Sequence, residues 1–215
     1  FFEETLPLNQ RYAGSFWSTF GRLAVVGRNV GFTGFLTVFS LLAAPYMAYV
    51  AVSSYVYVQY FGLSEQVYSY FFAANSFFAV IGPFLYMKLI GIVTPRQFTY
   101  GCFIFTAAAA VALLTVGSLS PWCFLMAFLP VTVMESAARP FSTAILLDQQ
   151  KTDIGSASSL INAVNTVFGS LGMLLGALNW GNFIDGLGII TAVCAILAIG
   201  GWCFLLHFKV RIEGL

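Results

Sequence analysis

Six apolar stretches dominate this chain: Phe32–Tyr60, Gln66–Ile90, Phe98–Val116, Trp122–Leu147, Ser156–Leu178 and Leu187–Phe208. Each reaches, or nearly reaches, the roughly 20 residues that a helix needs to cross a bilayer. The runs are continuous. A membrane β-barrel would instead alternate apolar and polar residues in much shorter segments. The chain is 60% hydrophobic and only 8% charged, far from the balance of a water-soluble domain and further still from that of a disordered one. Its net charge of +1 excludes nucleic-acid binding by bulk electrostatics. The expected fold class is therefore an all-α membrane protein, a bundle of six transmembrane helices.

The connections are short and hold turn-forming residues: Gly62-Leu63-Ser64-Glu65, Thr94-Pro95-Arg96, Gly117 to Pro121, Asp148 to Asp153 and Gly181 to Gly186. Basic residues fall on alternate connections. Arg11, Arg22 and Arg28 precede the first segment, Lys88 and Arg96 join the second to the third, Lys151 joins the fourth to the fifth, and Lys209 and Arg211 follow the sixth. The opposite connections carry Glu65 and Asp185 and no Lys or Arg. The positive-inside rule then places both ends in the cytoplasm. Residues Asn9 to Val30 mix Arg11, Arg22 and Arg28 with Phe16, Phe20 and Leu23 at helical spacing, the pattern of a basic amphipathic helix lying at the membrane interface; the alternative is a plain tether. Residues 1–30 thus read as a linker region and residues 31–215 as the six-helix bundle. The chain opens on Phe1 without a charged signal region, so a longer natural protein is expected.

Polar residues inside the apolar runs are candidates for function. Glu135 falls near the middle of the fourth segment, and Arg139 is four residues on. That spacing puts both on one helix face within pairing reach. A charge at mid-bilayer costs at least about 2.5–3.5 kcal/mol, so the pair must face protein or a wet cavity. It serves either a substrate- or proton-linked site or an ion pair that locks the helix. Pro130 and Pro140 bracket the pair, with Pro45 and Pro83 in the first two segments, and each can kink its helix. In the fifth segment Gly155, Ser158, Asn162, Asn165, Gly169, Gly172 and Gly176 step by threes and fours along one stripe. Gly169, Gly172 and Gly176 suit close helix packing. Asn162 and Asn165 either bond a neighbouring helix or line the cavity. Tyr46, Tyr49, Ser53, Tyr57 and Tyr60 form a stripe on the first segment. Tyr46 and Ser53 suit an amphipathic ligand, while an interfacial aromatic belt accounts for Tyr57 and Tyr60. Asn75 is a further candidate for the cavity wall. His207 closes the last segment as an interface group. Cys102, Cys123, Cys194 and Cys203 have no metal or redox spacing and read as small hydrophobes. No phosphate loop, metal cluster or nucleophile–base pair calls for a cofactor or an enzyme reading.

Three motifs carry a family resemblance. Glu3 to Arg11 reads E-E-T-L-P-L-N-Q-R. Ser53 to Ser64 reads S-S-Y-V-Y-V-Q-Y-F-G-L-S and is followed by F-F-A-A-N-S at Phe71 to Ser76. Leu146 to Asn162 reads L-L-D-Q-Q-K-T-D-I-G-S-A-S-S-L-I-N. In order, these resemble the end of the sixth helix, the seventh and eighth helices, and the start of the eleventh helix of the major facilitator superfamily, nearest the Bcr/CflA drug:proton antiporters. Gly82, Lys88, Gly91 and Arg96 echo that superfamily's basic loop, without its acidic residue. The resemblance implies the C-terminal half of a twelve-helix transporter, with an N-terminal six-helix half as partner. It further implies export of small amphipathic drugs across the bacterial inner membrane in exchange for protons. Its proton-coupling acid usually sits in the half not present here. Alternatives are a sugar or metabolite carrier of the same superfamily, or a free-standing six-helix structural membrane protein.

Overall fold

In a computed structural model, residue 25 and residues 27–150 and 154–209 are described. The expected interface helix lies outside the described residues except for its last few positions, as do the Glu3–Arg11 motif, Arg22, Lys151 and Arg211. Among the described residues there are six spans long and apolar enough to cross a membrane, and no β-strand. The protein is an all-α bundle.

The first span, Val30–Tyr60, is long and apolar enough to cross as expected, but it is not one continuous helix. Helix α1 (Val30–Ser40) starts on Asn29, whose side chain accepts from the Gly31 and Phe32 amides. The helix breaks at Leu41 and Leu42, and α2 (Ala43–Ser54) follows. Pro45 explains the break: it lacks an N–H, and its ring crowds the carbonyl four residues back, which belongs to Leu41. The span then ends in a π-helical run, Tyr55–Tyr60.

The other spans are α3 (Glu65–Leu89), α4 (Pro95–Val116), α5 (Pro121–Asp148), α6 (Ile154–Gly176) and α7 (Phe183–His207). Local caps set several starts. Ser64, Thr94, Ser120 and Asn182 each accept a first-turn amide, satisfying donors that have no partner inside the helix. Thr94 and Gln97 form a reciprocal capping box ahead of Pro95. The last span begins at Phe183 rather than Leu187. Gly186 therefore lies inside a helix, not a turn, and Gly188 lies two residues further along it. Both are sites of close approach: a Cβ on Gly186 would meet the Trp180 ring at 2.4 Å, and one on Gly188 would meet Leu114 at 2.7 Å. Pro130 and Pro140 lie within an unbroken α5.

The first span runs through the middle of the bundle and is its most buried element, whereas α3 and α6 are the least buried. Its break falls between two cores. On one side Phe32, Phe35 and Phe39 of α1 pack with Phe98, Phe103, Phe141 and Trp202. On the other, Tyr49, Val52 and Tyr57 pack with Phe71, Phe124 and Phe128. Helix α3 packs mainly on α5, α2 on α6, and α4 on both α5 and α7. Lipid offers no hydrophobic force to hold helices together, so close fit and hydrogen bonds must do so. Gly82 supplies the α3–α5 fit, since a Cβ there would overlap the Ser136 hydroxyl and the Val133 carbonyl. Several buried hydroxyls bond their own helix, as Thr99, Thr106 and Thr191 do to the carbonyl four residues back.

Candidate functional site

Helix α5 carries the charges. Glu135 stands at the midpoint of its 28 residues, and Arg139 follows one turn later. Arg139 Nε donates to Glu135 Oε1 at 2.5 Å. The two side chains differ sharply in exposure: Glu135 is 5% exposed and Arg139 is 48% exposed. The carboxylate is held inside the bundle, and the guanidinium projects outward from it.

Arg139 faces helix α6. Together with Met47 of α2 and with Asn162, Asn165, Thr166, Gly169, Ser170 and Met173 of α6, it lines an open groove of about 250 Å³. Asn165 lies near the middle of α6, as Glu135 does in α5, so the groove lies at mid-membrane depth. The glycines set the α2–α6 crossing. A Cβ on Gly172 would sit 2.1 Å from the Ala44 carbonyl oxygen, and one on Gly176 would sit 3.2 Å from Ala48. Gly169 faces Met47, which a Cβ would meet at 3.1 Å. Thr166 Oγ1 donates to the Asn162 carbonyl at 2.8 Å. The side-chain amides of Asn162 and Asn165 have no protein partner among the described residues. Tyr46 is half-buried on α2, within electrostatic reach of both Glu135 and Arg139.

The structure therefore brings together Glu135, Arg139, Asn162 and Asn165, with Tyr46 alongside. It places two other candidates apart. Asn75 is 1% exposed, and its Oδ1 accepts from Thr132 Oγ1 at 2.8 Å. That bond ties α3 to α5, and Asn75 does not line the groove. Ser53 is buried on α2, with its Oγ 3.1 Å from Tyr68 Oη of α3; it too serves a helix contact. Tyr57 is a correction to the belt reading. It is buried and stacks on Phe71 with ring centroids 4.8 Å apart, while Tyr60 is exposed. Sequence reasoning missed Met47, Thr166, Ser170 and Met173. Thr166 and Ser170 follow Asn162 at steps of four, a polar line that the glycines mask. A second groove, of about 230 Å³ beside Tyr86, Phe98 and Phe141, has apolar walls and no charged side chain.

The Asn75–Thr132 bond has a measurable consequence. In a double-mutant cycle of Asn75→Leu and Thr132→Val, thermal or denaturant unfolding should give a coupling of about 0.6–1.7 kcal/mol, the range for bonds between membrane helices. A coupling near zero would mean that the bond does not hold α3 to α5.

A buried acid and a half-exposed guanidinium at mid-membrane depth cannot face lipid without a cost of several kcal/mol. The groove must open to water or to more protein. Such a site can bind a polar group of a ligand while its Met side chains accept an apolar body. No protein-family model matches the chain. The chain is similar, at 25% identity over 205 residues, to an uncharacterised MFS-type transporter, YdgK, of Bacillus subtilis (strain 168). The match covers 93% of this chain and 50% of that relative, so the chain spans about half the length of the curated relative it matches. With its six spans, the all-α bundle has the architecture of one half of a major facilitator fold.

Proposed function

We propose that this chain is the C-terminal half of a bacterial inner-membrane carrier that exports small amphipathic molecules, antibiotics among them, in exchange for protons. The observation that carries the reading is the Glu135–Arg139 pair in a mid-membrane groove between α2, α5 and α6. Intramembrane charges on an inward wall belong by default to a transport path. The likeness to an MFS-type transporter supports a carrier over an enzyme or a structural protein. The Bcr/CflA-like drug:proton branch rests on the sequence motifs quoted above. In this reading an N-terminal six-helix half covers the groove, both ends of the present half are cytoplasmic, and the two halves rock around a central cavity to give alternating access. Asn162, Asn165 and Tyr46 form the wall nearest the charged pair. Asn75 and Ser53 hold α3 in place behind it.

Export by the full-length protein tests the role of Glu135. Glu135→Gln keeps the shape and one acceptor for Arg139 but removes the charge. It is expected to lower export of a drug substrate by at least about tenfold, the scale of one charge-assisted hydrogen bond, at unchanged membrane abundance. Equal export at equal abundance would exclude Glu135 from the transport cycle. A proton uncoupler should abolish wild-type export; its failure to do so would remove proton exchange from the proposal.

A further inference from the structure

Arg139 offers the groove more than its ion pair consumes. Glu135 engages Nε through one carboxylate oxygen. A guanidinium carries further N–H donors in a rigid fork, and among the described residues these meet no protein acceptor. Burial fixes what an incoming molecule meets first. The acid is enclosed behind the guanidinium, and the guanidinium is the half-exposed partner. The facing wall adds the Asn162 and Asn165 amides and the Ser170 hydroxyl. Neither α2 nor α6 contains an acidic residue, so the groove presents neutral amides and hydroxyls, all able to donate, and one accessible positive charge. Met47 and Met173 complete its lining with polarizable apolar surface.

We infer that the groove selects amphipathic organic anions: molecules with a carboxylate or similar oxyanion and an apolar body. The inference rests on the transport reading and names the substrate class of that site. The oxyanion pairs with the outer N–H groups of Arg139, whose fork matches a carboxylate in two parallel bonds. The Asn162 and Asn165 amides donate from the other side, and the apolar body lies against Met47 and Met173. An organic cation would meet the guanidinium before it could reach Glu135. Repulsion between like charges is strong in a site of low dielectric. Glu135 is then a positioning residue that aims Arg139 at the groove.

Everted membrane vesicles carrying the full-length protein test this with two dyes, the carboxylated dye calcein and the cation ethidium. The expected result is transport of calcein, lowered by at least about tenfold in Arg139→Gln, the scale of losing a charged hydrogen-bond partner. Arg139→Lys should retain part of it, because the charge remains and the fork is lost. The double variant Glu135→Gln, Arg139→Gln leaves no unpaired buried charge. It should lose calcein transport equally, which separates the effect from misfolding of the single variant. Transport of ethidium with no transport of calcein would overturn the anion assignment and leave the carrier reading intact. Calcein transport that survives both Arg139→Gln and the double variant would also overturn it. If neither dye moves, nor a panel of neutral amphipathic antibiotics, the carrier reading fails and this inference fails with it.

Discussion

Replacing Gly172 by leucine is expected to remove nearly all folded protein from the membrane. The reason is what lies opposite. A Cβ at Gly172 would sit 2.1 Å from the Ala44 carbonyl oxygen and 2.6 Å from Ala44 Cα. These are backbone atoms of α2 and cannot rotate aside as a flexible side chain does. Ordinary overpacking of a core costs about 1–3 kcal/mol because neighbours shift. Here relief requires α6 to move away from α2, along the contact that positions Asn162, Asn165 and Met47. Even Gly172→Ala should lower the apparent melting temperature of the purified protein. Gly101 provides the control: a Cβ there meets nothing within 4 Å, and Gly101→Ala should be neutral or stabilising, since alanine is favoured over glycine in a helix by about 1 kcal/mol. Wild-type stability in Gly172→Ala would show that the α2–α6 crossing is looser than the structure has it.

The second large effect concerns the charged pair. Arg139→Leu strands the Glu135 carboxylate, which is 5% exposed and has Arg139 as its ion-pair partner. Removing one member of a buried pair costs about 3–5 kcal/mol. The converse change should cost less. In Glu135→Gln the remaining charge belongs to Arg139, which is 48% exposed and can be solvated by the groove. The double variant Glu135→Gln, Arg139→Leu should recover much of the loss, since it buries no charge. Unfolding of the purified protein, followed for the wild type and all three variants, reads this order directly. If Arg139→Leu matches the wild type in stability, Glu135 has no need of its counter-charge, and the pair is not what fixes α5 in the bundle.

Much of the architecture was legible in the sequence, because a bilayer imposes a length and a composition on every segment that crosses it. The six spans follow from that requirement. So does the pairing of Glu135 with Arg139, since helical geometry alone brings residues four apart together. Caps are similarly local, and Thr94 with Gln97 needs no distant partner. Errors arose where a residue's meaning depends on its neighbours in space. Gly186 reads as a turn former but is a contact point within α7, against Trp180. The break at Leu41 and Leu42 lies ahead of Pro45, the same residue type as Pro130 and Pro140, which leave α5 unbroken.

The candidate site divides along the same line. Asn75, Asn162 and Asn165 are the same residue type in similar apolar helices, and nothing local separates them. Thr132, 57 residues away in sequence, takes up Asn75 as a link between α3 and α5, while the close seat of Gly172 on Ala44 leaves Asn162 and Asn165 along an open groove. The sequence by itself determined the number of spans, their helical class and the charged pair, because bilayer thickness and helical pitch act on contiguous residues. Only the tertiary structure decided that Glu135 lies inside and Arg139 faces out, because that depends on how α5 is rotated against α2, α3 and α6, and rotation is set by packing between segments far apart in the chain.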